Sequence, residues 1–158
     1  MSHHFLAYLY RLQYIERWSL MRKTTGENVA EQSYHSALLA HLLASIARNV
    51  FGREVDPDKA AAYALFHDAT EVFTGDIPTP VKHHNPELLG NFRQIETLAA
   101  ERLLSTVPDE LRDVYRPLLS READSPELAK LVKAADVLDA YLKCVNGPRM
   151  KRLPAQAQ

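Results

Sequence analysis

The sequence predicts an all-α protein, a bundle of about six helices, on three observations. Apolar residues recur at intervals of three and four along most of its length. No stretch alternates apolar and polar residues as a strand would. Three segments open with the same helix-start device, a capping side chain followed by proline, at Asp56–Pro57, Asn85–Pro86 and Ser125–Pro126.

Phe5, Tyr8, Leu9, Leu12 and Ile15 place a first helix near 4–18. A polar stretch at 23–28 follows, without apolar period. The second helix spans about 29–51, with Leu38, Leu39, Leu42, Leu43, Ile46 and Val50 as its apolar stripe and Gly52 beyond its last turn. The third starts at the Asp56 cap, carries Ala61, Ala64, Leu65 and Val72, and stops before Gly75 and Pro78. A fourth runs from the Asn85 cap to about 106, and a shorter one fits 108–119. The sixth starts at Ser125, with Leu128, Leu131, Val132, Ala135, Leu138, Leu142 and Val145 as its stripe, and Gly147–Pro148 end it. Residues 146–158 contain two prolines and no apolar period, and are expected to form a disordered tail behind a domain of residues 1–145.

A chain of 158 residues can bury about two thirds of its unfolded surface, enough for one domain core. The net charge of -1 gives no basic field, which argues against a nucleic-acid polymer as partner. A small phosphorylated ligand needs only a local cation and stays open. The single cysteine, Cys144, allows no internal disulfide and fits a reducing cytoplasm. No apolar run approaches the roughly 18–20 residues that span a bilayer, and the N-terminus does not read as a signal peptide.

Four residues stand out chemically. His67 and Asp68 fall inside an alanine-rich apolar helix, where neither is favoured without a partner. Glu71 follows His67 by four residues and Asp68 by three, on neighbouring parts of one helical face. Asp136 lies in the apolar run of the last helix. An imidazole and carboxylates converging from separate helices make a mixed nitrogen–oxygen site suited to a divalent transition metal.

The pairing of His67–Asp68 with a later Asp136 resembles the HD-domain phosphohydrolases, whose ligand order is His, His–Asp, Asp. Longer words carry a closer likeness to the bacterial YfbR-like 5′-deoxynucleotidases, nearly gap-free from about residue 3 to 145. They are Arg-Trp-Ser-Leu-Met-Arg at 17–22, Glu-Asn-Val-Ala-Glu at 27–31, His-Asp-Ala-Thr-Glu at 67–71, Thr-Gly-Asp-Ile-Pro-Thr-Pro-Val-Lys at 74–82, Lys-Ala-Ala-Asp at 133–136 and Ala-Tyr-Leu-Lys-Cys at 140–144.

The resemblance implies an HD-domain bundle around one divalent metal ion, Co, Mn or a similar transition metal. It implies hydrolysis of deoxyribonucleoside 5′-monophosphates to deoxynucleoside and phosphate by a cytoplasmic homodimer. His67, Asp68 and Asp136 match metal ligands, and Glu71 the acid/base carboxylate. Arg17 matches a phosphate-binding residue, and its fork suits two phosphate oxygens. Trp18 matches the residue that excludes a ribose 2′-hydroxyl, and Asp76 one that accepts from the sugar 3′-hydroxyl.

Three departures qualify the likeness. The family's first ligand is a histidine, where this chain has Gln32 within Glu31–Gln32–Ser33. A neutral amide oxygen is a poorer ligand than imidazole for a transition metal. His35 is the alternative ligand, but it stands roughly 4.5 Å further along the axis and about 60° short of a full turn. The tail after Cys144 departs from the family's further helical sequence, and Arg-Glu-Ala-Asp at 121–124 differs from its substrate rim. The alternative reading is therefore a catalytically impaired nucleotide-binding HD-domain protein. A purely structural helical domain would instead leave these polar residues solvated.

Overall fold

The structure is a computed structural model, describing residues 4–19, 25–121, 123 and 125–146. The helices are α1 (His4–Tyr10), α2 (Val29–Asn49), α3 (Pro57–Phe66), α4 (Glu71–Thr74), α5 (Thr79–Lys82), α6 (Pro86–Leu104), α7 (Arg112–Ser120) and α8 (Pro126–Asn146). Short 3₁₀ turns follow α1 and precede α7. No strand occurs among the described residues, so the all-α class stands. Of the expected tail, 146–158, Asn146 is the last residue of α8, and the rest lies outside the described residues. None of the described helices is long and apolar enough to cross a membrane.

The starts read from sequence are where the capping chemistry puts them. Asp56 accepts from the backbone of Asp58 and Lys59, Asn85 from Leu88, and Ser125 from Leu128. The start of α2 is fixed by a reciprocal box: Asn28 accepts from the Glu31 backbone at 2.9 Å while the Glu31 side chain accepts from that of Asn28 at 3.1 Å. Two of the helix's four orphan N-terminal donors are satisfied in this way.

Three expectations are corrected. The first helix does not reach residue 18. It tightens into a 3₁₀ turn over Arg11–Tyr14, and Ile15 is extended. The reason is tertiary: Arg17 N–H donates to Glu27 O at 2.9 Å and Val29 N–H to Ile15 O at 3.0 Å, a short antiparallel bridge that pulls this segment against the start of α2. The third helix ends at Phe66, so His67–Asp68 is not mid-helix, and α4 and α5 are separate turns. Finally, much of the apolar stripe assigned to α2 faces outward. Leu38 and Leu42 are more than half exposed, whereas the buried face runs through Gln32, Ser36, Ala40 and Ala44.

That inner face explains the packing. Ala40 and Ala44 on α2 meet Ala60 and Ala64 on α3, all wholly buried, and small side chains let the two backbones approach closely. Leu128 and Ala135 of α8 close this cluster, joined by Leu39 and Leu43. A second cluster gathers Leu12, Val29, Ala69, Val72, Leu103 and Leu119. Its fully buried side chains, Val29 and Leu103 among them, each contribute about 1.5–3 kcal/mol. The segment 67–71 joins α3, in the first cluster, to Ala69 and Val72, in the second, and is held from both ends.

Candidate metal centre

The local chain around His67 is tighter than an α-helix. The backbone N–H groups of Ala69, Glu71, Val72 and Phe73 donate to the carbonyl three residues back, at 3.0–3.3 Å. The cause is the His67 side chain, whose Nδ1 donates to Ala64 O at 2.5 Å. It occupies the carbonyl that an α-helix would give to the amide of Asp68. Three-residue periodicity eclipses positions three apart, which brings Asp68 and Glu71 to one side.

With Nδ1 committed to Ala64, Nε2 of His67 faces the carboxylates, as a ligating imidazole is oriented by its other nitrogen. Nε2 lies 3.0 Å from Asp68 Oδ2 and 3.5 Å from Asp136 Oδ1. One donor atom from each of the three residues lies within 4.8 Å of the others. Burial opposes charge on all three groups. The carboxylates outweigh it for His67, raising it to about 10, and the imidazolium holds Asp68 and Asp136 below the usual carboxylate range. A site that stabilises a proton between two carboxylates so strongly would stabilise a divalent cation in the same place.

Gln32 lies directly against this cluster and is wholly buried. Its Nε2 donates to Asp136 Oδ1 and Ser36 Oγ, both at 3.0 Å, and sits 3.4 Å from His67 Nε2. Its Oε1 is buried without a hydrogen-bond partner among the described residues, an orphaned acceptor that a cation would satisfy if the amide turned its oxygen to the cluster. His35 is placed elsewhere, its Nδ1 3.7 Å from Glu27. The donor set therefore fits a divalent metal ion, which His67, Asp68 and Asp136 could hold with Gln32 beside them.

The cluster opens into a pocket of about 420 Å³, lined among others by Arg17, Glu71, Asp76, Lys82, Arg121 and Lys133, within the span of small-molecule sites. Arg17 is mostly buried; among the described residues its Nε and NH1 make no hydrogen bond, and NH1 lies 3.9 Å from Glu27. Asp76 Oδ2 accepts from the backbone N–H of Trp18 at 3.2 Å. Trp18 has a left-handed backbone, φ 59°, unfavourable by about 1–2 kcal/mol for a residue with a Cβ. This places it beside Asp76 at the rim, while its ring is not among the pocket-lining side chains. Glu71 is buried, and its Oε2 has no hydrogen-bond partner among the described residues. Burial, then the charges of Asp68 and Asp76, push it up to about 8 against the pull of Lys82 and Arg17.

Sequence reasoning missed the charged frame around these residues. Lys82 pairs with Glu96 at 3.1 Å, Lys133 with Asp136 at 3.0 Å, and Arg121 reaches both Asp68 and Glu96. Lys143 bridges Glu27 and buried Asp139, tying α8 to the segment before α2. The spacing of Lys133 and Asp136 was a readable signal; the long-range partners of Arg121 and Lys82 had none.

Fold and cluster together define an HD-type phosphohydrolase. Among solved structures, an HD-domain phosphohydrolase from Listeria innocua superposes with a TM-score of 0.79 at 26% identity, covering 96% of this chain and 72% of that one. The cyanophage S-2L HD phosphohydrolase, solved bound to dA and one catalytic Zn²⁺ ion, gives 0.63 at 27% identity, over 86% and 68% of the two chains. Residues 4–151 match the profile of the YfbR-like 5′-deoxynucleotidases. The 5′-deoxynucleotidases of Citrobacter koseri and Escherichia coli are each 48% identical over 143 residues, 90% of this chain and 72% of theirs. The chain belongs to the YfbR-like 5′-deoxynucleotidase family, hydrolases of the HD fold.

The raised Glu71 carboxyl makes stability depend on pH in a defined sense. Below about pH 4.5 the folded and unfolded chains both hold its proton. As pH rises from about 4.5 to about 8, the unfolded chain loses the proton while the folded chain keeps it, so the folded state loses stability across that window. Glu71→Gln, which cannot ionise, is expected to melt progressively higher than the wild type as pH rises from 5 to 8 in the presence of a chelator. A melting difference that stays constant with pH would contradict this.

Proposed function

We propose that this protein hydrolyses deoxyribonucleoside 5′-monophosphates to deoxynucleoside and phosphate, with one divalent transition metal, Co or Mn in preference to Ca. The observation that carries the reading is the cluster His67–Asp68–Asp136, opening into a pocket that also holds Arg17, whose Nε and NH1 make no hydrogen bond among the described residues. A cation held by His67, Asp68 and Asp136, with Gln32 as a weak fourth donor, supplies Lewis-acid activation of water and screening of phosphate charge.

The protein's own groups have separable tasks. Arg17 offers Nε and NH1 to two phosphate oxygens, and fixing the phosphate in line removes part of the entropic cost of reaction. Glu71 exchanges a proton at Oε2 close to neutral pH, where an acid–base group is most effective. Asp76, steadied through Oδ2 by the Trp18 amide, accepts from the sugar 3′-hydroxyl. Trp18 is given the part of limiting the room beside the sugar 2′-carbon by the family likeness and by its amide contact with Asp76; its ring, which does not line the pocket here, would have to turn inward to do so.

A cytoplasmic homodimer completes the reading. What supports association is the outward apolar stripe of α2, Tyr34, Leu38, Leu42 and Ile46, together with Val137, Tyr141 and Val145 on α8, all exposed. Sedimentation equilibrium is expected to give twice the chain mass, and a monomer at tens of micromolar would remove this part.

The activity is tested with a panel of deoxy- and ribonucleoside monophosphates in Co²⁺, Mn²⁺ and Mg²⁺, with bound metal quantified. Phosphate release from the deoxy series, greatest with Co²⁺ or Mn²⁺, is expected, and Trp18→Ala should narrow the preference over the ribo series. A folded, metal-loaded protein that releases no phosphate would leave the impaired nucleotide-binding alternative standing. Gln32→His is expected to tighten metal binding roughly tenfold or more, in the range of changes made at metal sites, and to raise the rate, whereas His35→Ala changes little. The reverse pattern would make His35 the ligand.

A further inference from the structure

Arg121 is one of two non-glycine residues with a left-handed backbone among those described, φ 60° and ψ 25°, at the end of α7. Its N–H closes the helix by donating to Pro117 O, a position where glycine is usual and a Cβ is unfavourable. The conformation turns the arginine side chain toward the segment carrying the ligands. Nε donates to the backbone oxygen of His67 at 2.7 Å, and NH2 donates to Asp68 Oδ1 at 3.3 Å. NH1 lies 3.6 Å from Glu96 on α6, which is itself paired with Lys82. The other oxygen of Asp68, Oδ2, is the one that faces His67 Nε2.

We propose that Arg121 is a positioning residue of the metal centre: by taking Oδ1 of Asp68 and the main-chain oxygen of His67, it presents Oδ2 alone to a divalent cation and fixes both ligands in register. The inference rests on the metal reading above. Two effects of the guanidinium compete. Its charge repels a cation, which would make its removal tighten binding. Its hydrogen bonds orient two ligands, which would make its removal loosen binding. Loss of an outer hydrogen bond to a ligand commonly weakens metal affinity by about 10–100-fold, and about 40% of this side chain is solvent-exposed, where water screens its charge. Orientation therefore dominates.

The test is Co²⁺ titration by calorimetry, with the visible spectrum of the bound Co²⁺, on the wild type, Arg121→Gly and Arg121→Lys. Glycine suits the left-handed backbone, so Arg121→Gly is expected to melt no lower than the wild type without metal, yet to bind Co²⁺ about tenfold more weakly with a changed spectrum. Arg121→Lys keeps the charge but lacks the fork, and should also bind more weakly than the wild type; should the glycine variant not fold, the lysine variant decides alone. Wild-type affinity and spectrum in the folded variants, or tighter binding, would overturn the proposal. A wild type that takes up no Co²⁺ would overturn the metal reading and this one with it.

Discussion

Two carboxylates, Asp68 and Asp136, share one buried imidazole, and much of this structure is arranged to permit that. Left alone, paired acids at this depth would be neutralised by protonation. Here the charge of His67, the amide of Gln32, and the cations Lys133 and Arg121 on opposite flanks keep them ionised. The supporting groups come from α2, α8, the segment after α3 and the end of α7. A ligand cluster of this kind forms only when those elements are docked, which couples the chemistry to the tertiary fold.

Burial first, and then the charges of Asp68 and Asp76, set the behaviour of Glu71. Because the tightened turn eclipses positions three apart, Glu71 shares the side of Asp68 and is raised by it. An acid that would be fully ionised in water becomes one that holds its proton near neutrality. Arg17 adds the opposite sign to the lining of the same pocket. A site with an anion-seeking guanidinium, a protonated carboxylic acid and a cation cradle suits phosphate ester cleavage.

Much of the architecture was legible because capping is local chemistry. Asp56–Pro57, Asn85–Pro86 and Ser125–Pro126 mark helix starts that depend on nothing distant. The convergence of His67, Asp68 and Asp136 was legible because polar groups in apolar runs demand partners. The features that escaped are tertiary. The early end of α1 follows from a bridge to residues 27–29, the break at His67 from a side chain capturing a backbone carbonyl, and the role of Arg121 from a backbone conformation that its residue type does not announce. The α2 stripe misled in part because small and polar residues, Gln32, Ser36, Ala40 and Ala44, form its innermost line, with Leu39 and Leu43 packed beside it and Leu38, Leu42, Ile46 and Val50 outside.

The central claim is that His67, Asp68 and Asp136 bind one divalent ion together. Crystals grown with Co²⁺ or Mn²⁺ and measured at the absorption edge of the metal test it directly. The account predicts a single anomalous peak at bonding distance, about 2.0–2.3 Å, from His67 Nε2, Asp68 Oδ2 and an oxygen of Asp136. A loaded crystal with no ion at this cluster, or with the ion bound elsewhere while these three side chains keep only one another, would contradict it.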